Sequence, residues 1–280
     1  MTQNSPLSIG WMNGKWARLH QLKVPISDRG ASLGDGIFET ILIFNGKPKL
    51  LFEHLKRWEQ SASILSMATP PSAEWLRPLI SEGIERSKLI KANGCLRLNW
   101  SRGDNHERGI TIQEEEKKKS NHRFWLEINP GEPYFNPIST IISSLEKRNA
   151  DSQYSLCKAF AYGQSIKARQ EAIIAGYDEA LLLSTSGQLS CGTTANLLVK
   201  RKDQWLTPPV RTGCLPGIMR QQGLDSGLIQ EANINAIPCK DDEWLLINSL
   251  SCRPINKVNS CSLKNSTNPK EFWLNLLERK

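Results

Sequence analysis

Residues 157–183, CKAFAYGQSIKARQEAIIAGYDEALLL, decide the reading of the second half of this chain. Ala161 to Ala175 carries its apolar residues at helical spacing, and Gly176 supplies the residue type that commonly ends a helix, so a helix is predicted there. Glu179 to Ser184 is a short apolar run of the kind that forms a buried strand. Ile138 to Ser143, on the other side, reads as a strand too. Strand, helix, strand is an α/β pattern, and Lys158 stands just ahead of its helix.

Outward from this core, the turn STSGQ leads to strands at Asn196–Lys200 and Trp205–Thr207. Pro216-Gly217 then introduces a helix from Ile218 to Leu228, and Trp244–Asn248 is a further strand. Upstream, NPGEPYFNP at 129–137 packs three prolines and a glycine between apolar stretches, the composition of a domain linker. The expected organisation is a smaller α+β domain over 1–128, a linker over 129–137 and a larger domain over 138–280. In the smaller domain Asn13-Gly14 marks a hairpin, and Asn45-Gly46 marks a second one between Ile37–Phe44 and Pro48–Phe52. Helices are predicted at Glu53–Met67 and Ala73–Ser87, then strands at Gly94–Trp100 and Arg123–Ile128, with a solvated loop at the EEEKKK run, Glu114 to Lys119.

Composition excludes several classes. Hydrophobic residues at 39% and charged residues at 23% describe a globular chain, not a disordered or collagenous one. No apolar run approaches the roughly 18–20 residues that span a bilayer, and MTQNSPLSIG has no signal-like pattern, so a cytoplasmic protein without membrane contact is expected. Seven cysteines without a C-x-x-C pair read as reduced thiols. His20, His54, His106 and His122 lack metal spacing, so no metal is expected. The net charge of +8 is spread along the chain, which suits a small anionic substrate better than nucleic acid.

No P-loop or G-x-G-x-x-G fingerprint is present. Leu215-Pro216-Gly217-Ile218 places a Pro-Gly turn at a helix start, where free backbone N–H groups can meet an anion; the residues alone leave this open against an ordinary helix start.

Taken in order, six segments resemble the class IV family of pyridoxal-phosphate enzymes: SDRGASLGDGIFET (27–40), HLKRW (54–58), the lysine segment 157–183, GQLSCGTTANLLV (187–199), LPGIMR (215–220) and DDEWLLINSL (241–250). The resemblance implies a two-domain fold type IV enzyme, D-amino acid aminotransferase-like, with α+β and α/β parts, and a homodimer. It implies pyridoxal 5'-phosphate as cofactor, with Lys158 as its Schiff-base lysine. Phosphate contacts would come from Arg57, the backbone N–H groups of Ile218 and Met219, and the Ser249 hydroxyl, and Tyr162 would lie near the cofactor's phenolic oxygen.

Two positions depart from the family pattern. Cys191 stands where the family places a glutamate opposite the pyridine nitrogen, and a thiol is a weak hydrogen-bonding group without fixed charge when neutral. Ala161 stands where many relatives carry asparagine. Within the family, CLRLNWSRGDNHERG (95–109) resembles the basic strand and loop of aminodeoxychorismate lyases, and offers Arg97, Arg102 and Arg108 to substrate carboxylates. The expected reaction is conversion of 4-amino-4-deoxychorismate to 4-aminobenzoate and pyruvate. The alternatives are transamination of branched-chain or D-amino acids, or a cofactor-binding homologue with altered activity.

Overall fold

The structure is a computed structural model that describes residues 5–105, 107–239 and 241–278; His106, among the histidines read above as non-ligating, lies outside the described residues. Contacts divide the chain into two units, 1–132 with 157–161, and 133–156 with 162–280. Among the described residues, no helix is long and apolar enough to cross a membrane.

In the first unit the order is β1 (Ile9–Met12), β2 (Lys15–Ala17), α1 (Arg29–Leu33), β3 (Gly36–Phe44), β4 (Lys47–Pro48), α2 (Leu51–Ile64), α3 (Ala73–Arg86), β5 (Gly94–Ser101), α4 (Glu114–Lys117) and β6 (Arg123–Pro130). Asn13 and Gly14 both adopt positive φ, 50° and 79°, the turn that joins β1 to β2 with Trp11 opposite Trp16. The strands form an antiparallel sheet in the order β2-β1-β6-β5-β3-β4. Alternation sends Ile37, Ile41, Leu96, Leu98, Leu126 and Ile128 into a core shared with Leu55, Trp58, Leu76 and Ile80 of α2 and α3. Each such fully buried aliphatic side chain stabilises the fold by roughly 1.5–3 kcal/mol.

The segment 157–161 belongs to this unit because it bonds to the start of β3. Phe38 N donates to Lys158 O (2.9 Å), Phe160 N donates to Gly36 O (2.9 Å), and Ala159 bridges Ile37. Gly36 is required for this approach: a Cβ there would lie 2.3 Å from the Phe160 ring.

Two readings of this half are corrected. The second hairpin is short, because β4 ends at Pro48 and Leu50, at φ 51°, turns the chain into α2 at Leu51, so 51–52 are helical and not strand. The EEEKKK run is not a solvated loop throughout. Glu114–Lys117 is a helical turn, and Glu116 is fully buried, where it accepts from Gln113 N (3.0 Å) and pairs with the buried Arg29 (3.4 Å). A buried guanidinium calls for a counter-charge, and that demand outweighs the run's polarity.

The second unit contains β7 (Ile138–Arg148), α5 (Gly163–Ile174), β8 (Glu179–Ser184), β9 (Leu189–Gly192), β10 (Asn196–Arg201), β11 (Gln204–Thr207), α6 (Ile218–Asp225), β12 (Ile229–Glu231), β13 (Glu243–Asn248), β14 (Ser251–Val258), β15 (Cys261–Ser262) and α7 (Pro269–Glu278). The sheet order is β12-β11-β10-β13-β14-β7-β8-β9, and β9 pairs again with β10, which closes six strands into a barrel-like ring. The β7–β8 pair is parallel and is joined through α5, the α/β unit that the lysine segment predicts. α5 begins at Gly163, two residues later than the spacing suggests, because Ala161 is drawn into the first unit.

Candidate active site

The first unit's sheet has a second face, formed by the residues that alternate with its core. There the Phe38 ring carries two cations: the Arg97 guanidinium carbon lies 3.6 Å from its centroid and Lys158 Nζ 4.4 Å. An aromatic ring attracts cations through its negative face, so Phe38 gathers both. Arg97 Nε donates to Asn99 Oδ1 (2.7 Å), and Asn99 Nδ2 donates to Glu127 Oε1 (3.2 Å), which also accepts from Trp125 Nε1 (3.2 Å). Phe160 completes an aromatic wall, 6.2 Å from Phe38 and 5.6 Å from Trp125. Cys95 shares the neighbourhood, and burial pushes its thiol up to about 11.

Arg57 is placed by α2. Leu51–Ile64 is helical, so His54 and Arg57, three apart, share one side of α2 and meet Glu39 of β3. Glu39 is fully buried. Its Oε1 accepts from Arg57 Nε (2.8 Å), and its Oε2 accepts from Arg57 Nη2 (2.6 Å) and from His54 Nδ1 (2.7 Å). Burial raises the carboxyl, but Arg57 and His54 override it and hold Glu39 at about 2. Burial pushes His54 below its ordinary value despite Glu39, with Arg57 and Lys158 adding to the effect. The bidentate grip fixes the guanidinium plane of Arg57. Sequence reasoning missed Glu39, and the signal was there: an acid stands in the inward register of Ile37, Ile41 and Ile43.

Arg102, offered beside Arg97 and Arg108, is taken up inside the unit. Its side chain is buried, bonds Asp35 (2.8 Å) and donates to the carbonyls of Leu65 and Ser66, tying the end of α2 to the loop before β3. Arg29 grips the same Asp35 oxygen (2.9 Å), and the two arginines hold that carboxyl low against the upward push of burial. Arg108 stands on the exposed loop that follows Asp104.

In the second unit Ile218 and Met219 open α6 behind Gly217, which caps the helix with no side-chain bond. The first amides of a helix have no intrahelical acceptor and suit an anion. Asn196 clamps the turn before them: its Nδ2 donates to Leu215 O (2.8 Å), and a Cβ on Gly217 would lie 1.9 Å from its Oδ1. Only glycine fits, so the LPGI turn is a built feature. Ser249 sits in the turn between β13 and β14. Tyr162 precedes α5 and, with Arg169, Glu179, Thr193 and Asn248, lines a cavity of about 340 Å³. Arg169 and Thr193 both bond Glu179, Thr193 Oγ1 at 2.7 Å.

Cys191 lies on β9 opposite Leu182 and packs with Ile141, Ala168, Ala180 and Cys214. Burial pushes its thiol up, against the pull of nearby Arg148, so Cys191 is neutral at ordinary pH. Arg148 donates to Gly213 O (2.9 Å) and Ser155 O (3.2 Å), two backbone acceptors.

A family profile described as amino-transferase class IV matches residues 36–258. The chain belongs to this family. The chain is similar to the aminodeoxychorismate lyase of Bacillus subtilis, 22% identical over 279 residues, covering 96% of this chain and 93% of that protein. The D-alanine aminotransferase of Bacillus licheniformis is 27% identical over 228 residues, 80% of this chain and 75% of that one. In three dimensions the chain is similar to the branched-chain aminotransferase of Thermoproteus uzoniensis, with a TM-score of 0.80 at 22% identity over 97% of this chain and 94% of that one. The fold is therefore that of fold type IV transaminases, and the cofactor of the class IV family is pyridoxal phosphate.

The residues present fit that cofactor in two respects. The first unit offers a lysine amine on Phe38 and a guanidinium with a fixed plane, and the second offers a clamped, uncapped helix N-terminus suited to a phosphate. At Cys191 the fit differs, because a neutral thiol supplies no carboxylate.

Proposed function

We propose that this chain eliminates pyruvate from 4-amino-4-deoxychorismate and releases 4-aminobenzoate, a folate precursor. The observation that carries the reading is the pair of cations on Phe38, where a carboxylate-binding guanidinium stands beside the lysine amine on a polar, aromatic-walled face. An aliphatic branched-chain substrate would gain little from Asn99, Trp125 and Glu127 there, whereas a planar ring acid suits aromatic walls and an arginine.

Lys158, Arg57, Tyr162, Ile218, Met219 and Ser249 are the residues proposed to hold pyridoxal phosphate. When bound, it supplies an electron-accepting ring next to the substrate nitrogen. Lys158 acts as general base and takes the proton from the ring carbon that bears the amine. The bond from the neighbouring carbon to the enolpyruvyl oxygen then breaks, and the six-membered ring becomes aromatic. Arg97 holds the ring carboxylate during this step. Cys191, as a neutral thiol, gives the pyridine nitrogen weaker support than a carboxylate would. Gain of aromaticity makes that support less critical in this elimination than in transamination, which must also reprotonate a cofactor carbon. Arg108 is left out of the proposed contacts because it stands on an exposed loop. A cytosolic homodimer acting on a small anion is part of the same reading.

Similarity to D-alanine aminotransferase favours transamination as the second reading. Purified holoenzyme assayed with 4-amino-4-deoxychorismate should release pyruvate, and should exchange little amino nitrogen between alanine or leucine and 2-oxoglutarate. Amino exchange without pyruvate release from 4-amino-4-deoxychorismate would replace the lyase reading with the second one.

A further inference from the structure

The core of the first unit does not close at one end of its sheet. Trp100 and Phe124, direct partners across β5 and β6, line a cavity of about 590 Å³ together with Trp11 of β1 and Trp75 of α3. Trp75 meets Trp11 and Phe124 edge to face, with centroids 5.5 Å apart in each pair, and Trp11 lies 5.8 Å from Phe124. These three rings hold one another, yet Trp75 stays 47% exposed. Trp100 is fixed as well: it stacks on His122 at 5.1 Å, and its Nε1 donates to Ala68 O (2.9 Å). His122 accepts from Ala68 N at Nε2 (3.2 Å) and donates from Nδ1 to Lys118 O (2.9 Å), so both nitrogens are occupied in the neutral ring.

The charged groups at the rim are of two kinds. Arg123 and Asp104 bond each other (2.8 Å), Arg123 also pairs with Asp28, and Asp104 also accepts from Ser27 Oγ (2.6 Å). Lys119 is exposed at the same rim. Its neighbours Lys117 and Lys118 pair with Glu114 and Glu115, whereas Lys119 pairs with no carboxylate among the described residues.

We propose that this cavity is a second small-molecule site, which takes a planar aromatic carboxylate with its ring among Trp11, Trp75 and Phe124 and its charge on Lys119. A few hundred cubic ångströms walled by fixed rings, with a small number of polar groups at the mouth, is the usual build of such a site. Ring-on-ring contact favours an aromatic ligand over an aliphatic one of equal size, and an ammonium selects the carboxylate. Along their strands Trp100 and Phe124 alternate with Asn99 and Trp125, which share the side of the sheet that carries Phe38. The cavity is thus separate from the face that holds Lys158 and Arg97, and the proposal does not depend on the reaction assigned above.

The test is calorimetric titration of cofactor-loaded full-length protein with benzoate, in an Arg97→Ala background that removes the carboxylate contact proposed for the other face. Benzoate should still bind there and leave cofactor absorbance unchanged. Adding Trp75→Ala should weaken that binding about tenfold, and adding Lys119→Met about three- to fivefold. Cyclohexanecarboxylate keeps the charge without the aromatic ring, and benzyl alcohol keeps the ring without the charge; each should bind at least about threefold more weakly than benzoate. Absence of benzoate binding in this background, binding that neither variant weakens, or a control compound that binds as tightly as benzoate would overturn the proposal. Should Trp75→Ala fail to fold, Lys119→Met, a change at an exposed side chain, decides together with the two control compounds. Sedimentation of the variants covers the other occupant: if Trp75→Ala splits a dimer and leaves the benzoate heat unchanged, the cavity belongs to a contact between copies of the chain and the proposal falls. Pyruvate release is measured apart from all of these, so its failure bears on the reaction and not on the cavity.

Discussion

Phe38 and Glu39 are neighbours on one strand and face opposite sides of one sheet, and the two sides treat charge in opposite ways. Behind the strand, the carboxylate of Glu39 is met by both His54 and Arg57 and is sealed from water. In front, Arg97 and Lys158 are gathered by a neutral ring, and the nearby carboxylate of Glu127 is reached through an amide. Burying and pairing the carboxylate turns its charge into structure. The two cations in front are held against an aromatic ring, one of them also by an amide, so what a partner is made of matters beside the sign of the charge.

The comparison can be broken most sharply at the lysine. Lys158→Ala should abolish turnover, by at least on the order of 10³-fold, with stability changed by under about 1 kcal/mol, as measured by chemical denaturation beside the activity assay. Retained turnover would remove Lys158 from the chemistry. On the buried side, Glu39→Ala should cost about 3–5 kcal/mol because it takes the bidentate carboxylate from a buried guanidinium, visible as a lower denaturation midpoint. A loss below about 1 kcal/mol would mean that the other surroundings of Arg57 suffice to hold it. Arg97→Ala should raise KM about 10- to 100-fold with stability almost unaltered, the pattern of a ligand contact.

Acid sharpens the contrast further. Glu39 titrates at about 2 in the folded protein against an ordinary 4.5, so its contribution is complete above pH 4.5 and is lost as pH falls toward 2. Burial holds His54 below its ordinary 6.5, so the unfolded chain takes up this proton at higher pH than the folded one and the contribution fades as pH drops below 6.5. Stability measured from pH 7 downward should therefore decline in two stages, and Glu39→Ala should flatten the lower one. The smallest effect is expected at Arg108, where replacement by Ala should shift KM by no more than about twofold; a shift as large as that of Arg97→Ala would bring the exposed loop into the site.

Much of this was legible in the residues. The Asn-Gly pair at 13–14 and the lysine segment carried turn and helix signals strong enough to place β1, β2, α5 and β8, because local backbone preference and hydrophobic period agree there. The Asn45-Gly46 turn was equally plain, yet the strand after it was read too long, since nothing local announces that Leu50 takes a left-handed conformation. β14 went unread because SCRPINKV lacks alternation and contains a proline; it is held by neighbours on both sides, in parallel with β7 and antiparallel to β13. Arg97 and Arg102 are five residues apart, and the residues alone read Arg97 as a carboxylate contact and Arg102 as no more than an even choice between that and a charged turn. Only the fold separates them, by giving one a ring and the other Asp35 with two carbonyls. Glu116 hid in a run of charge for the same reason, since its partner Arg29 is remote in sequence.

The short return of 157–161 into the first unit has a consequence for how the protein can be divided. The chain passes between units at 132/133, 156/157 and 161/162, so neither unit is a continuous stretch of the gene. A fragment ending at residue 132 would lack the strand-like bridge of Ala159 to Ile37 and, with it, Lys158. Neither unit can be moved as a cassette, duplicated or exchanged with a relative's by cutting at the proline-rich junction alone, and recombination at that junction would always leave the lysine travelling with the other parent.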